Sequence, residues 1–230
     1  MTSLEDRYQA SKKCLPEYLD VFASQEGEDI LIRRLLKSRY SERGVYVDVG
    51  AHHPLRFSTT AHYYMRGWWG INIEPNEHVT AIFNELRPRD INLNLAVGFE
   101  GESDFYMFHE PAFNTFDPEH LEFALTKTEL IGTNRINRRP LQAILQNNLP
   151  PEQVSELVFF NIDVEGMELE VLKTNDWEVY RPLLVLVEAL SDDKLDPITR
   201  FLFGVGYQFV ARTKNTYFFA EKEFKRCFVD

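Results

Sequence analysis

The chain has 230 residues, 44% apolar and 27% charged, enough for one sizeable domain with an ample core and unlike a disordered or collagen-like chain. Its 36 acidic against 25 basic residues give a net charge of −11, which repels phosphate backbones and argues against a nucleic-acid partner. Cys14 and Cys227 make no disulfide framework, the N-terminus lacks an apolar segment, and no apolar run spans a bilayer, so the expectation is a cytoplasmic protein with no signal peptide and no membrane span.

Residues 1–27 are polar and irregular and read as an arm or cap on a main domain over 28–230. Leu31, Ile32, Leu35 and Leu36 recur at helical spacing between Glu28 and Arg39. Val45–Val49 reads as a buried strand after Gly44. Phe57–Arg66 predicts a helix, Gly70–Ile73 a short strand, Glu77–Leu86 a helix closed by Pro88, and Ile91–Val97 a strand. Phe105–Phe108 suggests another short strand. From Glu110 to Arg139 the periodicity fades, and that stretch is long enough to be a lid or a substrate-binding insertion. A helix opens after Pro140 over Leu141–Leu145. Then follow strand Leu157–Ile162, helix Met167–Lys173, strand Leu183–Val187 and helix Ile198–Phe203, ended by Gly204. Strands Tyr207–Ala211 and Tyr217–Ala220 flank the turn-like Thr213-Lys214-Asn215. Apolar strands alternating with amphipathic helices predict an α/β fold: a mostly parallel sheet covered on both faces, with a C-terminal antiparallel hairpin.

Ligands of such sheets bind beyond the carboxyl ends of the strands. Four strands here end in a carboxylate: Asp48, Glu74, Asp163 and Glu188. Carboxylates are costly to bury unpaired, so the rim calls for a ligand with hydroxyls or positive charge. The loop Asp48-Val49-Gly50-Ala51-His52-His53-Pro54 has one glycine where a dinucleotide loop needs three. Asp48 suits an ammonium, and Glu74 can accept both hydroxyls of a ribose diol. A nucleoside that carries a cationic amino acid, S-adenosylmethionine, meets both demands. Ser58 and Thr59 open the next helix, placed to cap it and to meet the cofactor carboxylate.

Five blocks resemble, in order, the motifs of FkbM-type methyltransferases. They are Ser24-Gln25-Glu26-Gly27-Glu28-Asp29, Val47–Pro54, Gly67–Pro75, Asn161–Glu168 and Pro182–Glu188. Asn161 stands where the family usually has Lys, and His52-His53-Pro54 is bulkier than the glycine-rich version. The resemblance implies a Rossmann-like class I methyltransferase sandwich that uses S-adenosylmethionine. It implies methylation of hydroxyl oxygens, with sugars, glycans and polyketides among the acceptors. It further implies that the segment carrying Gln25, Glu28 and Asp29 folds over the cofactor pocket. The domain at 28–230 is then the methyltransferase domain, either a whole protein or part of a larger glycan-assembling enzyme, with its oligomeric state open.

The expected cofactor residues are Gln25, Asp48, Gly50, His52, Ser58, Glu74 and Asn94. The expected catalytic residues are Asp163, Glu165 and His53. A sugar hydroxyl is a poor acid, so a base should take its proton; Asp163 is the first candidate, with a helix cap as its plainer role. His53 faces the acceptor as another base, while His52 shapes the loop or touches the cofactor. Glu165 and Glu168, three apart, share a helical face. Glu168, Glu188 and Asn114 are the expected acceptor contacts. The acids either hold substrate hydroxyls or jointly bind a divalent cation such as Mg, although their spacing is no recognised metal signature, so no metal ligand is assigned. Glu170 reads as a solvated helix face, His78 and His120 as surface residues, and Trp68 and Trp69 as core. Asn114-Thr115-Phe116 suits sugar recognition. Arg135, Arg138 and Arg139 form a basic cluster that is either solvated or phosphate-binding, the former preferred. Two other functions stay open: a nicotinamide-dependent oxidoreductase and a non-catalytic binding protein of the same fold.

Overall fold

The computed structural model of the chain describes residues 4–12, 20–37 and 43–225; residues 38 and 39 of the expected first helix and both cysteines lie outside them. None of its helices is long and apolar enough to cross a membrane among the described residues.

Within the polar arm a helix, α1 (Leu4–Lys12), precedes α2 (Glu28–Leu36), whose Ile32 and Leu36 are buried. Strand β1 (Val45–Val49) is buried along its whole length. Its residues alternate between two cores: Val45, Val47 and Val49 enter one, Tyr46 the other. Asp48 shares the face of Tyr46 by this two-residue period. Helix α3 (Ala61–Met65), strand β2 (Trp69–Ile73), helix α4 (Glu77–Leu86) and strand β3 (Ile91–Leu93) follow. Helix α4 is capped by Asn76, whose side chain accepts from the His78 amide at 3.1 Å.

Helix α3 is shorter than the expected Phe57–Arg66. Phe57 has φ +58° and bridges to Ser24, so it is not helical and the helix begins only after it. The expected strand Ile91–Val97 is two strands: β3 stays in the main sheet, and β4 (Ala96–Val97) turns into a second sheet. There β4 joins β5 (Gly101–Phe108) and β6 (Leu130–Arg139) in the order β4-β6-β5. The aperiodic stretch is thus structured: a short turn of 3-10 helix (Pro111–Phe113), helix α5 (Pro118–Leu125) and the ten-residue β6. Strand β6 has no apolar face, being exposed or half-buried at every position, and so carries no period to detect.

The main domain continues through α6 (Leu141–Asn148), β7 (Leu157–Ile162), α7 (Glu168–Lys173), β8 (Leu184–Glu188) and α8 (Asp192–Gly204). Strands β9 (Tyr207–Arg212) and β10 (Thr216–Glu221) form the expected antiparallel hairpin, and α9 (Lys222–Lys225) follows. The seven-stranded sheet has the order β3-β2-β1-β7-β8-β10-β9. Strands β3, β2, β1, β7 and β8 run parallel, and β10 pairs antiparallel to β8. The α/β class and mostly parallel sheet expected from the alternation are therefore present. The strand order reverses between β1 and β7, which opens a crevice at their carboxyl ends.

Trp68 is core at 2% exposure, and Trp69 packs against the same sheet. Gly70 on β2 faces Tyr46 of β1 so closely that a Cβ would lie 2.1 Å from the ring and 2.4 Å from the Tyr46 carbonyl oxygen. Both neighbours are buried and have no room to retreat. Gly70→Ala is expected to destabilise the fold by about 2 kcal/mol or more, read as a lowered urea midpoint with unchanged slope. An unchanged midpoint would show that the β1–β2 contact is looser than its geometry.

Candidate active site

A cavity of about 340 Å³ opens at the carboxyl ends of β1, β2, β7 and β8. On the sheet side it is lined by Asp48, Gly50, Glu74, Asp163, Glu165 and Glu188. Gln25, His52, Ser58, Thr59 and Asn114 line it too, so most of the expected site residues share one space. Among the described residues, three of the four non-glycine residues with left-handed φ line it: His52 (+53°), Phe57 (+58°) and Glu165 (+54°). Such conformations cost energy and cluster where a loop is shaped for function.

The first strand-end acid is held at both oxygens. Thr60 Oγ1 donates to Asp48 Oδ2 at 2.7 Å, and Asn161 Nδ2 donates to Oδ1 at 2.9 Å. Asn161, where the resembling sequences usually have Lys, therefore supplies a hydrogen-bond donor to Asp48. Burial pushes the Asp48 carboxyl up, and these two bonds pull against that. Glu74 accepts from the His52 amide at 3.1 Å and from the Asn76 amide at 2.8 Å. Burial nevertheless pushes its pKa to about 7.

Across the crevice stands a wall of acids. One oxygen each of Asp163, Glu165 and Glu188 lie within 4.8 Å of one another. Burial pushes all three up, Asp163 to about 7 and Glu165 and Glu188 further; repulsion adds to it, from Glu168 on Asp163 and from Asp163 on the other two. The Asp163 and Glu188 carboxyls pair side chain to side chain, which needs one proton between them. The insertion adds an aromatic wall to the cavity, formed by Phe113, Phe116, His120 and Phe123. His120 Nε2 lies 3.2 Å from Glu165 Oε2.

Several expectations need correction. His53 does not line the cavity; its Nδ1 accepts from the Leu55 and Arg56 amides at 3.0 and 2.9 Å and so shapes the loop. His52 takes the place beside the cavity, and burial pushes its pKa down to about 4, leaving it neutral. Asn94 is exposed and off the cavity; its amide donates to the carbonyls of Glu74 and Pro75 at 3.1 and 2.9 Å, fixing that turn. Glu168 also stays out. Its Oε1 accepts from the Val164 and Gly166 amides at 3.1 and 2.9 Å, which is the capping role considered for Asp163. Glu165 lies in the loop before α7, not on a shared helical face. Glu170 is half-buried and paired with Arg138 at 2.5 Å rather than solvated. His120 is 8% exposed rather than a surface residue. The insertion folds against the site because Thr115 Oγ1 donates to the Glu165 carbonyl at 2.8 Å. Asp29 and Glu28 stay off the cavity and tie down their own segment: Asp29 accepts from the Ala23 amide at 2.8 Å, and Glu28 from Thr213 Oγ1 at 2.7 Å.

Sequence reasoning missed His120, Phe113 and Phe123. One signal was present: Asp117-Pro118 is a helix-start pair, and Asp117 does cap α5, accepting from the Glu119 amide at 2.9 Å.

A family model described as the methyltransferase FkbM domain matches residues 48–209. The chain belongs to the FkbM methyltransferase family. The family resemblance read from the five sequence blocks is thereby borne out. A comparison with curated proteins finds no match. Among solved structures the FkbM domain is similar to a methyltransferase FkbM from Methylobacillus flagellatus KT (16% identity, TM-score 0.47), over 77% of this chain and 43% of that one. It therefore spans less than half the length of that relative. It is also similar to a precorrin-6y C5,15-methyltransferase from Geobacter metallireducens GS-15 (14% identity, TM-score 0.43; 88% and 92% covered). A third is an O-methyltransferase from Bacillus cereus in complex with SAH (12% identity, TM-score 0.41; 94% and 89% covered).

The raised acids set the sign of a pH dependence. Their folded pKa values exceed the ordinary carboxylate range, so above that range the folded state binds more protons than the unfolded chain. Stability is then expected to fall as pH rises from about 5 through the Asp163 value near 7. Glu188→Gln removes about one proton from that difference and flattens the fall, as thermal melts across the range will read. Parallel wild-type and variant curves would show that Glu188 holds no extra proton in the folded state.

Proposed function

We propose that the FkbM domain transfers the methyl group of S-adenosylmethionine to a hydroxyl oxygen of a carbohydrate acceptor, a glycan or a sugar-bearing metabolite. The observation that carries this reading is one cavity with two acidic ends: Asp48 and Glu74 on adjacent strands, and Asp163 with its proton-sharing partner Glu188 across the crevice. S-adenosylmethionine, when bound, supplies an activated methyl on a sulfonium. Glu74, beyond β2, would accept the ribose hydroxyls, and Asp48 would face the ammonium end. Gln25 and the His52 loop would close over it.

Asp163 acts as the base. Its pKa near 7 is matched to taking a proton at neutral pH, and Glu188 holds the proton already shared between them. Neutral His52, at about 4, adds no positive charge beside the sulfonium. Asn114 and the aromatic wall offer a polar contact and ring faces, a pairing that suits a sugar. The net charge of −11 and the acidic wall oppose a phosphate-rich acceptor such as RNA. The cytoplasm and a role within a larger glycan-assembling protein remain part of this proposal.

One observation favours a second reading of the acidic wall. Its donors are all oxygens, and Glu188 Oε2 is buried without a hydrogen-bond partner. Asp163, Glu165 and Glu188 would then hold a divalent cation that lowers the pKa of the acceptor hydroxyl.

Calorimetric titration with S-adenosylhomocysteine tests the cofactor half, with an NADH control for an oxidoreductase. Binding that Glu74→Gln weakens by about tenfold or more is expected, and no binding to folded protein overturns the assignment. A panel of sugars and glycans tests the acceptor half. Asp163→Asn is expected to lower kcat about a hundredfold or more while product-analogue binding persists. Cofactor binding with no acceptor methylated would favour a non-catalytic role. Activity that chelation abolishes and Mg restores would select the cation reading; activity indifferent to both selects the shared proton.

A further inference from the structure

Arg87 follows α4, lies outside every motif block described above, and is 0% exposed. A buried guanidinium needs a counter-charge and partners for its five N–H groups. Asp90 supplies the charge, accepting from Nε at 2.8 Å. The rings of Tyr46, Tyr64 and Phe83 pack around the guanidinium carbon at 5.5, 5.2 and 5.2 Å. The ion pair alone would settle the charge. Nη2 donates to Tyr46 Oη at 2.7 Å and reaches Asn72 Oδ1 at 3.3 Å. Both terminal nitrogens also turn toward the loop that follows β1. Nη1 and Nη2 each donate to Thr60 Oγ1 at 3.0 Å, and Nη1 also reaches Ser58 Oγ at 3.3 Å.

A hydroxyl has two lone pairs and one proton. Arg87 occupies both lone pairs of Thr60, so the Thr60 proton has to go elsewhere. It goes to Asp48 Oδ2, 2.7 Å away. Asn161 holds the other oxygen at 2.9 Å. The guanidinium therefore sets the polarity of the Thr60 hydroxyl, and the hydroxyl sets the Asp48 carboxylate.

We propose that Arg87 is a positioning residue for the methyl-donor pocket, fixing through Thr60 the direction in which Asp48 presents its carboxylate. The inference rests on the reading of Asp48 as a cofactor contact. Arg87 does not line the cavity; Ser58 and Asp48 do. The device ties cofactor affinity to a buried network on the far side of the β1 loop. It leaves the acid wall of Asp163 and Glu188 untouched.

The decisive comparison is Thr60→Val against Thr60→Ser, because valine keeps the shape and loses the hydroxyl, while serine keeps the hydroxyl. Thr60→Val is expected to weaken S-adenosylhomocysteine binding about tenfold, with KM for the methyl donor rising in step and kcat at saturation close to wild type. Thr60→Ser should restore most of the affinity. Arg87→Lys keeps the charge but loses the fork, and should weaken binding alone yet add little on top of Thr60→Val. Equal affinity in folded Thr60→Val and wild type overturns the proposal, whether or not Arg87→Lys folds. So does a full additional loss from Arg87→Lys in the valine background. A readout without ligand separates this from failure of the cofactor assignment. The side-chain carboxyl carbon resonance of Asp48, identified by its absence in Asp48→Asn, should move in Thr60→Val and return in Thr60→Ser. No movement sinks the relay even if the cofactor assignment stands; movement with no ligand binding in wild type leaves the relay intact and removes the cofactor reading.

Discussion

The ends of β1 and β7 can meet only because residue 50 has no side chain. Gly50 has φ +78°, and a Cβ there would lie 1.7 Å from the Asp163 carbonyl oxygen. No rotamer adjustment relieves a clash with backbone. The approach is fixed by hydrogen bonds on both sides: the Gly50 amide donates to the Ile73 carbonyl at 3.0 Å, and the Asp163 amide to the Val49 carbonyl at 3.0 Å. Everything in the cavity depends on it. Asp48 and Asp163 are 115 residues apart in the chain, and this contact puts them on opposite lips of one crevice. The glycine's place in the loop is therefore set by strand packing as much as by any ligand.

Two buried charge systems flank that contact, and they are balanced differently. Behind β1, Arg87 and Asp90 form a closed pair whose spare donors reach Tyr46, Thr60 and Asn72. Charge meets charge there, at 2.8 Å. In front of β7, Asp163, Glu165 and Glu188 face one another, and Arg138, which also lines the cavity, is paired with Glu170 instead. That wall answers its own repulsion by keeping protons. A closed ion pair makes a good strut. A proton-holding wall makes a good place to do chemistry on a hydroxyl.

The insertion joins the two halves of the site. Lys194 of α8 pairs with Asp117 at 2.9 Å, and Thr115 holds the Glu165 carbonyl, so the aromatic wall is pinned over the acids. A second tie crosses the mouth: Arg56 donates to Glu110 at 2.8 and 3.1 Å, from the β1 loop to the start of the insertion. Both partners are partly exposed, so this tie guides more than it stabilises.

The strands of the main sheet, their mostly parallel direction and the acids at their ends were legible in the sequence, because buried parallel strands are continuous apolar runs and each ends at a change of residue type. So was the first loop, whose single glycine excluded a dinucleotide fingerprint. The break between β3 and β4 was not legible: Ile91–Val97 reads as one run, and only the third strand of a second sheet redirects its end. Nor was the division of labour among like residues. His52 and His53 are neighbours of the same type, yet one lines the cavity and the other holds loop amides. Glu165 and Glu168 share a motif, yet only Glu165 faces the cavity. Sequence alone determined which residue types stand at the rim, because composition and spacing are local. Tertiary structure alone decided which of them point inward and which carry protons. Orientation depends on hydrogen bonds between segments far apart in the chain, and protonation on the desolvation and neighbouring charge that only folding creates.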